Sequence, residues 1–384
     1  MRRSPLSTPG RGPSAPMLAG LVLAVAVLGT LVWLGLTYDP AHAPRTAAVD
    51  VPVPPRAVSS PEAQASDETT AMPTPLPDIP EVPAIVPGPA IALGPPEQPA
   101  PQPEPTPAPY SIPAGPEALP PAPDPALVER SRDGLLPKIG PDGRKPWQAY
   151  ARPFESTNPR PRIAIVISGL GQSAAVTEAA IQSLPGVVTL AFNPYGQRLD
   201  YWAARARAAG HETLAMVPME PVNYPANDPG PQTLLTTLSA PENRERLNWS
   251  LARFPGYVGV LSLAGSSYTT APESLRPTLE EIRARGLMFV DMRSSLRSSA
   301  FRISGDIGLP RAINNRVIDV QASKDEIDRR LDELVKIATT TGFAVGVGQP
   351  YPATIERVLA FVRSAEGRGL AVAPISAIAD HQKE

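Results

Sequence analysis

The chain has 384 residues, of which 52 are proline, three are histidine and none is cysteine. Without cysteine there is no disulfide scaffold, thiolate metal site or thiol nucleophile, and three histidines at 42, 211 and 381 make a multi-histidine metal centre hard to assemble. Net charge is −2, near +1 over residues 161–384, so the concentrated basic face that nucleic-acid binding needs is missing.

Residues 1–16 form a short basic tail with Arg2, Arg3 and Arg11. Residues 17–38 (Met17 to Tyr38) carry no charge. At ~1.5 Å per residue this segment reaches about 33 Å, enough for a ~30 Å hydrocarbon core. Trp33 and Tyr38 sit at its far end, where amphipathic rings favour the interface. The arginines keep the N-terminus inside, which predicts a single-pass inner-membrane anchor with the C-terminal part in the periplasm. A cleaved signal peptide ending at Ala41-His42-Ala43 is the alternative.

Residues 39–160 hold 32 of the 52 prolines. Proline removes a backbone donor and fixes φ, so helix and sheet cannot run through such chain. Residues 39–130 are predicted to be a disordered, extended stalk, a spacer that can also serve partner domains as a proline-rich ligand. Residues 131–160 contain Trp147, Tyr150 and Phe154. That aromatic density predicts a segment packed on the domain that follows.

From 161 to 384 strand and helix patterns alternate. Strands are predicted at 162–168, 186–192, 213–217, 256–262, 287–291, 317–319, 343–347 and 370–373. Helices are predicted at 174–184, 198–209, 242–253, 276–285 with Pro277 in its first turn, 323–341 and 353–366. The rhythm of parallel βαβ units over about 224 residues predicts an α/β fold, a distorted (β/α) barrel of seven to eight units. A doubly wound open sheet is the alternative. No glycine-rich dinucleotide fingerprint, phosphate-binding loop or serine-hydrolase elbow is present.

In such folds function gathers at the C-terminal ends of the strands. Those positions carry Ser168, Asn193, Tyr195, Glu220, Asn223, Tyr224, Ser266, Ser267, Tyr268, Asp291, Arg293, Ser294 and Gln349. Carboxamides, hydroxyls and aromatic faces suit sugar hydroxyls and rings. The expected ligand-binding set is Ser168, Asn193, Tyr195, Glu220, Ser266, Asp291, Arg293 and Gln349. Glu220 and Asp291 are the catalytic candidates, as an acid/base pair for glycoside hydrolysis. The competing reading has Glu220 as a structural partner of an arginine such as Arg293. His211 follows a helix-ending glycine, on the rim away from the site, and is read as a cap on carbonyls.

The run Val188-Thr189-Leu190-Ala191-Phe192, the turn Pro218-Met219-Glu220-Pro221 and the final Pro374-x-Ser376-x-Ile378, in this order, resemble the divergent polysaccharide deacetylase family. The resemblance spans about residue 160 to the end. It implies a distorted barrel of the carbohydrate-deacetylase type and metal-assisted removal of acetyl groups from amino sugars. It also implies aspartates after the first strand and histidines after later ones. Here Ser168-Gly169 stands for the aspartate pair. Met216 precedes the PMEP turn where a histidine is common. Leu263 stands for a second histidine, and Gln349 for a third. A metal or cofactor is therefore not expected. The expectation is a membrane-anchored pseudoenzyme that binds envelope glycan; the alternatives are a glycan hydrolase or deacetylase using Glu220 and Asp291, and a protein-interaction module. Whether the domain is an enzyme stays open on sequence alone.

Overall fold

The computed structural model describes residues 117–155 and 157–383. The predicted anchor at 17–38 and the stalk up to residue 116 lie outside them. Among the described residues no helix is long and apolar enough to cross a membrane.

A hairpin of β1 (Val128–Ser131) and β2 (Gly134–Pro137) and a short helix α1 (Pro146–Ala149) precede the main sheet. The sheet is built from β3 (Arg162–Leu170), β4 (Thr189–Phe192), β5 (Thr213–Met219), β6 (Gly259–Ala264), β7 (Met288–Asp291), β8 (Arg311–Ile313), β9 (Arg316–Val317), β10 (Phe343–Gly348) and β11 (Ala371–Val372). Between and after them lie α2 (Ala174–Ser183), α3 (Leu199–Ala208), α4 (Ala240–Leu251), α5 (Pro272–Ala284), α6 (Ala300–Asp306), α7 (Lys324–Thr341) and α8 (Pro352–Ala365).

All strand pairs in the main sheet are parallel, in the order β8-β7-β6-β5-β4-β3-β10-β9, with β11 beside β3. The sheet curls into a half-barrel. Its two terminal strands, β8 and β9, are consecutive in the chain and only Asn314 and Asn315 lie between them. Side-chain amides bridge this seam. Gln382 accepts from the Ile313 N–H at 2.7 Å and donates to the Ile313 carbonyl and to Asn315 Oδ1, each at 2.8 Å. Asn315 Oδ1 also accepts from the Val345 N–H of β10 at 2.8 Å.

Alternation along β3 sorts the core into two layers. Ile163, Ile165 and Ile167 join Leu334, Val358 and other helix residues in the outer layer. Ala164 and Val166 point the other way and join Leu214, Met216, Leu261, Val290, Val345 and Val347 inside the curl. Period-two alternation with both faces covered gives the continuous apolar run seen in the sequence. α7 lies so near the sheet that a Cβ on Gly346 would sit 2.4 Å from Leu334 Cδ1.

The inner layer is sealed at the N-terminal end of the strands by the arm before β3. Leu127 and Tyr150 are buried there, with Trp147 and Phe154 packed alongside. Residues 117–130, assigned to the stalk from their proline content, belong to this arm: the Leu119 N–H donates to the Arg207 carbonyl, and Leu119 is buried. Arg207, itself buried, pins the arm by donating to the carbonyls of Pro120, Tyr150 and Gly256 at 2.8–3.4 Å. Burial without a carboxylate in contact pushes its pKa down to about 10.

Several elements differ from expectation for local reasons. α5 begins at Pro272, so Pro277 lies inside the helix, not in its first turn. β4 starts at 189 because the Val188 N–H closes a turn on Pro185. α6 and β8 were not anticipated; both are short, and α6 has no side-chain cap.

His211 is fully buried at the base of the sheet, 2.7 Å from the Val188 carbonyl and 3.3 Å from the Ile181 carbonyl. Ile181 is in the last turn of α2, so the histidine caps that helix and not the α3 that precedes it. Burial lowers its pKa, against the opposing pull of the two carbonyls, with Arg152 also lowering it and Glu117 raising it. The unfolded chain, with an ordinary value of ~6.5, therefore takes up the proton first. Stability contributed here is full above about pH 6.5 and falls as pH drops below it. His211→Gln should flatten the decline in melting temperature between about pH 7 and 5; an unchanged slope would contradict this assignment.

Candidate functional site

Residues of β3 and β5 and the turn after β10 come together at one point of the sheet. Near the end of β3 lies Ser168, fully buried, whose Oγ donates to the Gly348 carbonyl at 3.0 Å and accepts from Gln349 Nε2 at 3.2 Å. Gly169 follows with φ +80°, a left-handed backbone that favours glycine. Its N–H donates to the Met216 sulfur at 3.2 Å, and a Cβ placed on it would lie 2.8 Å from Gln349 Oε1. Four of the five replaced positions thus satisfy one another: hydroxyl to carboxamide, amide to thioether, and a side chain of Gln349 lying where a carboxylate on residue 169 would start; the fifth, Leu263, packs half-buried against the inner layer.

Gln349 is held from below. Its N–H donates to Asp319 Oδ2 at 2.6 Å, and Thr354 Oγ1 donates to the same oxygen at 2.9 Å. Asp319 is buried, and burial raises its pKa against these hydrogen bonds. The N-cap residue of α8, Tyr351, makes no side-chain cap bond. The Asp319 carboxylate instead ties Gln349, before this turn, to the first turn of α8 through the Thr354 hydroxyl, near the positive end of the helix.

A metal ion does not fit this donor set. The side chains of the set are one hydroxyl and one carboxamide bonded to each other and one thioether bonded to the Gly169 N–H, with no carboxylate or imidazole among them. Among the described residues no three histidine, aspartate or glutamate side chains converge in a way that could hold an ion.

The remaining rim residues mostly hold loops. Asn193 Oδ1 accepts from the Tyr195 N–H at 3.0 Å, an Asx turn. Tyr195 OH accepts from the Gln232 N–H at 2.9 Å, and its burial raises its pKa. Glu220 Oε2 accepts from the N–H and hydroxyl of Thr236 at 2.6 and 2.8 Å, and Oε1 accepts from Ser267 Oγ at 3.1 Å. Its partners are hydroxyls and an amide, not the arginine expected. Ser266 Oγ accepts from the Val222 N–H at 3.1 Å. Tyr268 is fully buried under the rim, shares a hydrogen bond with Thr278, and has its pKa pushed up to about 12.

Asp291 is also buried; Oδ1 accepts from the Arg293 N–H at 2.8 Å and Oδ2 from Ser298 Oγ at 2.7 Å. All four oxygens of the Glu220 and Asp291 pair are therefore engaged in loop hydrogen bonds. β6 lies between their strands, which puts about 10 Å between the two backbones.

The mouth exposes what its loops do not use. Ala264 and Arg293, neither a glycine, both have left-handed backbones, φ 59° and 55°, on adjacent loops joined by Ser294 Oγ donating to the Ala264 carbonyl at 2.8 Å. Such strain persists where the surroundings enforce it and clusters at functional positions. Asn223 and Arg293 are exposed, as are Val222, Tyr224, Leu296, Val320 and Tyr351, with Leu296 at 87 %. These apolar and aromatic side chains all follow the C-terminal ends of strands. Residue type alone flagged Asn223, Tyr224 and Arg293; Tyr351, Val320 and Leu296 carry no catalytic chemistry and gave no signal.

The sequence profile described as divergent polysaccharide deacetylase matches residues 165–379. An uncharacterized protein of Agrobacterium tumefaciens C58, known as a crystal structure, is 37 % identical, covering 64 % of this chain and 99 % of that one, with a TM-score of 0.62. The uncharacterized protein YibQ of Escherichia coli (strain K12) is 24 % identical over 200 residues, 52 % of this chain and 61 % of YibQ. An uncharacterized protein of Haemophilus influenzae (strain ATCC 51907 / DSM 11121 / KW20 / Rd) is 24 % identical over 203 residues, 53 % of this chain and 71 % of that protein. The alignment thus spans about three-fifths of the E. coli relative's length.

Proposed function

This chain belongs to the divergent polysaccharide deacetylase family, and on that premise we propose that it binds envelope glycan without metal-dependent deacetylation. The closed network of Ser168, Gly169, Met216 and Gln349 carries this reading, because it fills the place of the metal ligands with groups that satisfy each other. Around it, exposed Tyr224 and Tyr351 offer ring faces, and Arg293 and Asn223 offer donors. Such a surface positions sugar rings and does not activate water. Replacing Tyr224 and Tyr351 together with alanine should weaken binding of chitotetraose about tenfold or more, with the melting temperature unchanged. Wild-type affinity in that variant would contradict the placement of the glycan at the mouth.

The proposal includes a distorted barrel held at the inner membrane by residues 17–38, with a proline-rich stalk carrying it into the periplasm. Uncharged length and flanking arginines support it. Alkaline phosphatase fused after residue 383 should be active in cells and remain with the membrane fraction. An inactive fusion would refute export, and an active but soluble one would refute the anchor.

A further inference from the structure

A second cleft lies on the flank of the domain, between the β1–β2 turn, the loop before α4 and the α4 helix itself. It has a volume of about 300 Å³ and is lined by Arg132, Gln232, Leu238, Glu245, Arg246 and Trp249, with Glu242 at its edge. That size is at the lower end for small-ligand clefts, room for about one ring.

The wall is a half-buried tryptophan held in place. Tyr195 packs on Trp249 with ring centroids 5.4 Å apart, and the Arg253 guanidinium lies 5.1 Å from the Trp249 centroid. Arg253 is fixed by donating to the Pro194 carbonyl at 2.9 Å. Trp249 lies off the stripe of Leu247 and Leu251 that packs into the core, so its size is not needed for the helix to dock. Tyr195 also accepts from the Gln232 N–H, which ties the cleft loop to the end of β4.

The polar groups around this wall are of both kinds; Arg246 is held by the Thr233 carbonyl and Glu242 by Ser239 in the α4 capping box, while others are not committed. Among the described residues the Gln232 carboxamide, the Glu245 carboxylate and the Trp249 indole N–H have no hydrogen-bond partner. Arg132 is 82 % exposed and meets only Asp133, at 3.5 Å. On and beside the wall, Arg132, Arg246 and Arg253 are balanced by Asp133, Glu242 and Glu245, so the cleft has no net charge and does not select an anion or a cation. A wall of aromatic carbon with free donors and acceptors and no net charge matches a neutral ring bearing hydroxyl and amide groups.

We propose that this flank cleft is a saccharide subsite that takes a neutral sugar unit against Trp249, with Gln232 and Glu245 reading its hydroxyls. It rests on the glycan reading above and gives that glycan a second point of attachment, away from the strand mouth.

The test uses the full-length protein and chitotetraose, by calorimetric titration and tryptophan fluorescence. Gln232→Ala with Glu245→Ala alters two side chains without partners, so the fold should be kept and the melting temperature unchanged. This variant should weaken binding at least fivefold, and Trp249→Phe should abolish the fluorescence change on binding. If the double variant binds as wild type while the Tyr224→Ala, Tyr351→Ala variant does not, the subsite is refuted and the mouth reading stands. If the wild-type protein binds no chitotetraose, both fail. If binding survives at the mouth-altered protein and falls only in the cleft variants, the cleft is the primary site and the mouth reading is refuted.

Discussion

Arg207→Ala should lower stability by about 3 kcal/mol, because it takes the side-chain donor from the buried Tyr150 carbonyl, at ~1–3 kcal/mol for such a group, weakens the hold on the Gly256 and Pro120 carbonyls and removes the packing of a buried side chain. The guanidinium donates to three carbonyls, those of Pro120, Tyr150 and Gly256; two of them belong to the arm, and the Gly256 carbonyl keeps a second donor in Thr213 Oγ1. The side chain also lies over the Tyr150 ring, 5.2 Å from its centroid. In a domain of this size ~1 kcal/mol moves the melting temperature by roughly 2–4 °C. The expected fall is therefore roughly 6–12 °C, accompanied by faster proteolysis of the arm. Arg207→Lys keeps the charge but not the planar fork, and should lie between the two. A melting temperature within about 2 °C of wild type would mean that the arm is held by its apolar contacts alone.

The second large effect concerns the filled metal site. Gly169→Asp, the residue type the family resemblance leads one to expect there, should cost about 2 kcal/mol. A side chain at φ +80° is strained, and its Cβ starts 2.8 Å from Gln349 Oε1. The penalty should shrink by ~0.5 kcal/mol or more when Gln349 is also replaced by alanine, since neighbours that collide are not additive. Additivity to within about 0.3 kcal/mol would show that residues 169 and 349 do not compete for the same space. The consequence is that the catalytic residues cannot be restored one at a time: Ser168, Gly169, Met216 and Gln349 have become a packed unit.

Much of the fold was legible because its signals are local. β3 reads as an uninterrupted run of isoleucine, valine and alanine since helices and the inner core cover both its faces. Gly342 ends α7 with φ +88°, as a C-terminal glycine should. α6 and β8 were not legible, because seven and three residues are too few to display a period. The arm at 117–130 was hidden by its prolines: composition marks a segment as unable to form regular structure, yet Leu119 and Leu127 bury without needing any.

The site was half legible. Residue types alone, set against the family resemblance, suggested that Ser168, Gly169, Met216, Leu263 and Gln349 stand at positions where metal ligands are common. What the side chains at the rim do could not be read, because residue type does not reveal an existing partner. Glu220 and Asp291 carry the right groups for acid/base work, but Thr236, Ser267, Ser298 and the Arg293 N–H occupy them. Trp249 could have been suspected from its position off the apolar stripe of α4, since a tryptophan there does not belong to the face that packs into the core.

The most direct measurement is acetate release and binding in one experiment, with full-length protein, chitotetraose and added zinc. A glycan-binding domain without metal chemistry gives saturable binding of the oligosaccharide with no acetate above the protein-free control, at any zinc concentration. Zinc-dependent acetate release that follows the protein concentration would contradict that reading.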